Sequence, residues 1–298
     1  MKFSVDPWDV EYGTSTELET ESAGKVELGI ELPPDEWRGL RAPTGQVDTI
    51  LFVDGVRRID ARVWIDGDHP GICASYAAGA VRCDGRAQVV EVAVDRGMFS
   101  TAPSAADIVT RHATYPARMA ASSDIASLML AVHERMTEVE VGIASKVDGA
   151  QLVVIDGPLR GRTHIDHAVG FIKSHAVRYL PDEQHALVGM LQPGERTPVF
   201  TIGSSWSRHS WYLRLPGPSG SPWSGIARCE CSPDLAPSAA IELANTTAAV
   251  LPRFASEPHK DTRAPQNLYP IGGLERELRR RLGDQALLFR SLQRTSAT

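Results

Sequence analysis

The chain has 298 residues, of which 42% are hydrophobic and 23% charged, and its formal net charge is -6 at pH 7. This composition is typical of a globular protein with a sizeable core, and the acidic balance excludes a uniformly basic nucleic-acid-binding surface, so any such surface must be a local patch. No apolar run approaches the roughly 18 residues of a membrane-spanning helix, and the N-terminus lacks a basic and apolar signal region. The sequence therefore predicts a soluble, cytoplasmic protein.

Four cysteines are present, Cys73, Cys83, Cys229 and Cys231. The last two are separated by one residue, which is tighter than the usual zinc-ligand pair, and no Cys/His pair stands at ligand spacing. We expect four reduced and mostly buried thiols.

The first 48 residues differ in character from the rest of the chain. They are acidic and irregular, with Glu17, Glu19, Glu21 and a turn at Pro33–Glu36. We predict an N-terminal arm over residues 1–48, packed on the main domain or on a partner, and one domain over residues 49–298.

A β-rich region opens this domain. The stretch Thr49–Gly55 is an apolar strand that is expected to end at Asp54-Gly55. Residues 60–66 alternate polar and apolar side chains, and residues 71–81 and 87–94 continue the β pattern. Together these stretches predict an antiparallel meander led by the Asp54 strand.

A long helix and a second buried strand follow. Ser122, Ser123 and Asp124 are helix N-cap residues, and the apolar spacing from Ile125 to Ile143 indicates one helical face held for about five turns. The stretch Gln151–Leu159 then has an unbroken apolar run into Asp156, followed by Gly157-Pro158, and predicts a strand buried on both faces. The later elements are predicted as strands over 168–172, 197–202, 210–215 and 225–231, and as helices over 182–191, 237–254 and 274–292.

Two strands that each end in Asp-Gly can bring Asp54 and Asp156 together at one sheet edge. The order strand, meander, helix, central strand is that of a ribonuclease-H-like α/β fold, a mixed sheet flanked by helices. Carboxylate oxygens suit Mg²⁺ or Mn²⁺, and two such ions can clamp the attacking and leaving oxygens of a phosphoryl transfer. The pair therefore indicates a metal-dependent phosphoryl-transfer site.

A third acid from the long helix would complete such a site, and three glutamates are candidates. At 100° per residue, Glu134 and Glu138 fall opposite the apolar stripe, whereas Glu140 falls at its border. A side chain that must reach over the sheet should lie at that border. The pattern favours Glu140, with Glu138 as the reserve because helix ends twist or fray.

Several short motifs resemble those of the NurA nuclease family. They occur in the family's order from about residue 49 to the C-terminus, at Val53–Gly55, Val154–Leu159, Val169–Ser174, Trp211–Arg214, Ala227–Glu230 and Asn267–Ile271. The resemblance implies a ribonuclease-H-like core, Mn²⁺-dependent cleavage of DNA, a homodimer, and a partnership with a hexameric HerA-type DNA-translocating ATPase in DNA end processing or anti-phage defence.

The resemblance also implies site residues. Asp54 and Asp156 become the strand acids, and Glu140 or Glu138 the helix acid. The family's metal-ligating histidine near the C-terminus is absent after Pro270. His259 is the upstream candidate for this ligand, and Asp261 and Asn267 are the substitutes.

Three basic residues near the acids are candidates for binding the DNA backbone. Lys173 follows a strand and could act as a point charge on a phosphate, while Arg160 and Arg162 follow Asp156 and could clamp phosphates. A strand-edge lysine and a loop salt bridge are the alternatives. Two alternative functions also stand: a non-catalytic subunit of the same fold that regulates an ATPase ring, and a metal phosphohydrolase acting on small nucleotides.

Overall fold

The structure is a computed structural model that describes residues 1–5, 24–43, 47–175, 177–204, 206–217 and 222–297. The acidic residues Glu17, Glu19 and Glu21 of the predicted arm lie outside these ranges. Within them, no helix is long and apolar enough to cross a membrane.

The chain forms a mixed α/β structure. Its strands are β1 (Phe3–Val5), β2 (Lys25–Glu27), β3 (Leu40–Arg41), β4 (Ile50–Ile65), β5 (His69–Cys83), β6 (Ala87–Ser100), β7 (Ile108–Val109), β8 (Thr114–Tyr115), β9 (Ala117–Met119), β10 (Leu152–Asp156), β11 (Ala168–Ile172), β12 (Glu195–Arg196), β13 (Phe200–Gly203), β14 (Ser207–Arg214) and β15 (Ile226–Cys231). Its α-helices are α1 (Ile125–Ala144), α2 (Asp182–Met190), α3 (Pro237–Val250), α4 (Tyr269–Arg281) and α5 (Gln285–Ser296), with short 3-10 helices at Pro34–Glu36 and Leu251–Phe254.

Thirteen of the described strands form one sheet, whose main path runs β2-β13-β14-β15-β11-β10-β4-β5-β6-β9. The predicted meander is confirmed, because β4, β5 and β6 pair antiparallel in succession. Strand β10 lies beside β4 and is parallel to it, and β11 is parallel to β10. The described parts of the N-terminal arm join this sheet through β1, β2 and β3.

The prediction that the first strand ends at Asp54-Gly55 is wrong. Gly55 continues the antiparallel ladder opposite Ala78, and the pairing runs on to Ile65, with one irregularity between Ile59 and Ala61. The turn comes at Asp66-Gly67, where φ is positive at both residues. An Asp-Gly pair indicates a turn only where the backbone adopts positive φ. At position 55 the glycine instead leaves room for a side chain from α1.

The helical predictions are largely confirmed. The side chain of Asp124 accepts a hydrogen bond from Ser127 N at 2.9 Å and caps α1. The single helix expected over 274–292 is instead α4 and α5, which meet at Gly283 (φ 84°) and Asp284. Glycine tolerates the left-handed conformation that ends one helix, and the Asp284 carboxylate caps the next by accepting from Leu287 N at 2.7 Å.

The central strands bury a different hydrophobic layer on each face. Phe52 and Val154 pack in the layer that includes α3 and α4, whereas Val53 and Ile155 pack in the layer that includes the end of α1. Side chains alternate between the two faces along a strand, so the burial of these residues fixes the face of the sheet on which Asp54 and Asp156 lie. The four cysteines are free and buried, as predicted.

Candidate active site

Asp54 and Asp156 lie side by side. In the parallel pairing of β10 with β4, Ile155 stands opposite Val53, so the next residue of each strand is one of the two aspartates. Strand alternation puts both carboxylates on the same face as Phe52 and Val154, the face covered by α4. The juxtaposition expected from sequence is therefore present, although only Asp156 ends its strand.

A lysine and an amide complete this cluster. Lys173 Nζ donates to Asp156 Oδ2 at 2.6 Å and to Asn267 Oδ1 at 3.1 Å. Asn267 Nδ2 in turn donates to Asp261 Oδ2 at 2.5 Å. The segment before α4 thus reaches the acids through Asn267, one of the two substitutes considered for the missing histidine.

Burial and like charge make Asp54 an unusual carboxyl group. Its exposed fraction is 7%, and Gly55 N donates to its Oδ1 at 2.8 Å. Its pKa is raised well above the ordinary value by burial first, then by the charge of Asp156 and also by that of Glu140, while Lys173 opposes the shift. Such a carboxyl group gains stability from any cation placed beside it.

Glu140 approaches the same place from the opposite face of the sheet. It is buried on α1, and a Cβ built on Gly55 would stand 2.1 Å from its Oε1. Gly55 follows Asp54, so it faces α1 while Asp54 faces α4. The absence of a side chain at position 55 is what admits the Glu140 carboxylate against the strand.

Arg162 holds Glu140 in this position. Its Nη2 atom bonds Glu140 Oε2, and Nη1 donates to the carbonyl of Pro158 at 2.9 Å. Burial raises the pKa of Glu140 to about 7 against the opposing effect of Arg162, and Asp156 adds to the rise. The expectation that Arg162 clamps DNA is corrected: its side chain is 5% exposed and engaged in this internal ion pair.

A second arginine and a histidine lie near the ion pair, and sequence reasoning missed both. Arg57 Nη1 lies 3.2 Å from His133 Nδ1. Burial, followed by the charges of Arg57 and Arg162, lowers the pKa of His133 to about 4, so this imidazole is neutral at pH 7. Neither residue belongs to a recognisable motif, and only the packing of α1 on β4 brings them together.

Glu230 supports the turn that follows Asp156. Its Oε1 accepts from Leu159 N at 2.7 Å, and its Oε2 accepts from Arg228 Nη1 at 2.7 Å. Arg228 and Glu230, two residues apart on β15, form a buried ion pair. This buried pair anchors the Gly157–Leu159 turn and with it the end of β10.

The remaining predicted site residues lie on the surface. Glu138 is 60% exposed and paired with Arg135, and Glu134 and Arg160 are exposed. His259 is 71% exposed, with Nε2 3.5 Å from Glu257 Oε2. Glu138 and His259 therefore lie away from Asp54 and Asp156, whereas Glu140 lies close to them.

Asp54 and Asp156 suit a divalent cation in chemistry. Both are carboxylates, and Asp156 Oδ1 is buried without a hydrogen-bond partner in the part of the chain that the structure describes. Among those same residues, no three His, Cys, Asp or Glu side chains form a group that could hold a metal. Glu140 lies across the strand from the two aspartates and bonds Arg162.

The chain is similar in structure to the NurA nuclease from Sulfolobus solfataricus, with a TM-score of 0.48 and 10% sequence identity over 83% of this chain and 85% of that one. No family model and no curated protein matches its sequence.

Proposed function

We propose that the chain is a DNA nuclease that uses Mn²⁺ or Mg²⁺ and is built on a ribonuclease-H-like core. The observation that carries the proposal is the in-register pair Asp54 and Asp156, two adjacent carboxylates with one buried oxygen left without a partner. The central strand order, an antiparallel β4-β5-β6 meander with β10 and β11 added parallel to β4, supports the fold assignment.

Each residue of the cluster has a defined role in this proposal. Asp54 and Asp156 hold the cation, and Lys173 fixes Asp156 Oδ2 so that Oδ1 remains for the metal. A bound divalent cation supplies an activated water and neutralises charge on the phosphoryl oxygens. The Lys173 ammonium, one-fifth exposed, adds positive charge where the phosphate would lie, and Asn267 holds that ammonium in place.

Glu140 acts as the third acid in this proposal. It affects Asp54 electrostatically from across the strand, and it becomes a ligand only if its carboxylate leaves Arg162. Binding of the cation would favour that rearrangement because the metal replaces the arginine as the counter-charge. Arg160, which is exposed beyond Asp156, is proposed to contact the DNA backbone.

The ordered motifs support two further parts of the proposal: a homodimer and a HerA-type hexameric ATPase as partner. An acidic nuclease gains little from bulk charge in finding DNA, so loading by a translocating ring fits its composition. Light scattering of the purified chain tests the dimer. Co-purification with a HerA-type ATPase tests the partnership, and a monomeric chain that never co-purifies would refute both.

The decisive experiment is cleavage of end-labelled linear and circular DNA with Mn²⁺, Mg²⁺ or EDTA. The proposal expects metal-dependent cleavage that is lost in both Asp54→Ala and Asp156→Ala. Glu138→Ala is the matched control, because it removes an exposed carboxylate from the same region without touching the cluster. Retained metal-dependent cleavage in Asp54→Ala would refute the assignment.

The buried Glu140–Arg162 pair favours a second candidate, a non-catalytic subunit that regulates an ATPase ring. In this case the ion pair is a permanent structural element and no third ligand is ever released. The two candidates differ in one result: a regulatory subunit cleaves no DNA alone or with its partner, yet changes the ATPase rate of the ring.

A further inference from the structure

A pocket of about 380 Å³ lies beside the acid cluster. It is lined by Ser256, Lys260, Asp261, Tyr269, Gly272 and Arg276. Asp261 links it to the cluster, because its Oδ2 accepts from Asn267, which bonds Lys173. The pocket is therefore separated from Asp156 by a chain of three hydrogen bonds.

Arg276, the arginine that lines this pocket, differs in its pairing from the other arginines of α4. Arg279, Arg280 and Arg281 at the end of α4 are all paired with glutamates of the same helix. Arg276 has no hydrogen bond or ion pair to any residue that the structure describes, and it lines the pocket. Arginine presents a planar fork of donors that matches phosphate oxygens, so the exposed and unpaired Arg276 that lines the pocket is suited to bind an anion.

A buried hydroxyl points to the same ligand. Ser256 is 4% exposed, lines the pocket, and its Oγ has no partner among the described residues. A buried polar group without a partner costs stability unless a ligand or water satisfies it. Ser256 Oγ is therefore a buried donor that no described residue engages, in a residue that lines the same pocket as Arg276.

The first turn of α4 closes the pocket. Tyr269 and Gly272 belong to this turn, and no side chain caps the helix N-terminus. The helix dipole favours an anion at such a position, while Pro270 has no backbone N–H and the N–H of Gly272 donates to Leu268 O within the helix. Gly272 and Arg276 are four residues apart and share a helix face, so the helix end and the guanidinium act on the same space.

Two contacts moderate the positive charge. Lys260 Nζ lies 3.0 Å from Glu257 Oε2, and Asp261 adds a carboxylate to the lining. The Asp261 oxygens are already engaged, since Oδ1 accepts from Arg263 N at 2.8 Å and Oδ2 from Asn267. An anion in the pocket therefore meets Arg276 and Ser256 as unengaged donors, and Lys260 as a cation that also bonds Glu257 and Tyr269.

We propose that this pocket binds a phosphate group of the nucleic-acid substrate, next to the phosphate that is cleaved, through Arg276, Lys260 and Ser256. The inference deepens the proposed function and rests on it for the identity of the ligand. The phosphate could be a terminal monoester, which would make the pocket an end reader, or an internal phosphodiester, which would make it a backbone clamp.

Binding is measured in EDTA, so that it does not depend on metal or cleavage. Fluorescence anisotropy of labelled single-stranded oligonucleotides with a 5′-phosphate, a 3′-phosphate or hydroxyl ends gives the Kd for each variant. Arg276→Gln should weaken binding about tenfold or more and reduce the salt dependence by about one ion. Arg280→Gln, which removes a paired arginine from the same helix, should weaken it less than about twofold.

Ser256→Ala separates the proposal from a structural role. Removal of an unsatisfied buried hydroxyl should leave the melting temperature unchanged or raised, whereas loss of a phosphate donor should weaken binding several-fold. A loss confined to end-phosphorylated oligonucleotides identifies the terminal monoester, and an equal loss for all ends identifies the phosphodiester. The pocket proposal would be overturned if Arg276→Gln and Arg280→Gln weakened binding equally, or if Ser256→Ala bound the oligonucleotides like the wild type, even if the chain cleaves DNA. If these binding effects were observed but the chain did not cleave DNA, the result would instead count against the proposed nuclease activity.

Discussion

Replacement of Gly55 by alanine tests how the sheet admits the third acid. The new Cβ would lie 2.1 Å from Glu140 Oε1 and 2.9 Å from Cδ, so the carboxylate must retreat by about 1.3 Å to reach the ordinary contact distance of 3.4 Å. Overpacking of this kind costs about 1–3 kcal/mol. If Glu140 loses Arg162, the broken buried ion pair costs about 3–5 kcal/mol.

A smaller effect acts in the opposite direction. Alanine in the middle of a strand is favoured over glycine by about 0.5–1 kcal/mol. We therefore expect Gly55→Ala to lower the free energy of unfolding by about 1–4 kcal/mol. Gly142→Ala is the matched control, because a Cβ at this exposed position of α1 meets nothing within 4 Å. It should raise stability by about 0.5–1 kcal/mol.

Urea unfolding followed by tryptophan fluorescence measures both variants. A double-mutant cycle with Glu140→Ala identifies the cause, since most of the cost of Gly55→Ala should disappear when the glutamate is already absent. DNA cleavage by Gly55→Ala should fall together with stability if Glu140 is part of the site. A Gly55→Ala protein as stable as the wild type would refute the account of position 55.

Three further outcomes are expected. The folded-state pKa of Glu140 is raised from 4.5 to about 7, so its contribution to stability is present below pH 4.5 and lost as pH rises through 7. In EDTA the wild type should therefore lose more stability than Glu140→Gln over that window, and parallel pH curves would contradict this. Lys173→Met removes the counter-charge of Asp156 and should lower the unfolding free energy by about 1–3 kcal/mol in EDTA. Adding Mn²⁺ should then raise the melting temperature of this variant more than that of the wild type. Asp284→Ala removes the α5 cap and should cost about 1 kcal/mol in urea unfolding without changing cleavage; a loss of cleavage would show that the α4–α5 junction serves the site.

The sequence by itself determined the central elements. Unbroken apolar runs predicted the strands that carry Asp54 and Asp156, and the capped amphipathic pattern predicted α1 with Glu140 at its border. These are local properties, because strand burial, helix periodicity and N-capping are each specified within about 20 residues. The sequence also indicated that two strands of this form can bring the two aspartates together at one sheet edge.

Only the tertiary structure decided how these groups are used. The sequence predicts a turn at Gly55. In the sheet this glycine instead leaves the space that the Glu140 carboxylate occupies, because α1 packs on the opposite face from Asp54. The sequence predicts that Arg162 binds phosphate, but its side chain is buried against Glu140. Asn267, and not His259, bonds Lys173. Each outcome depends on contacts between segments distant in the chain, and local pattern carries no information on which side chain occupies a space made by another segment.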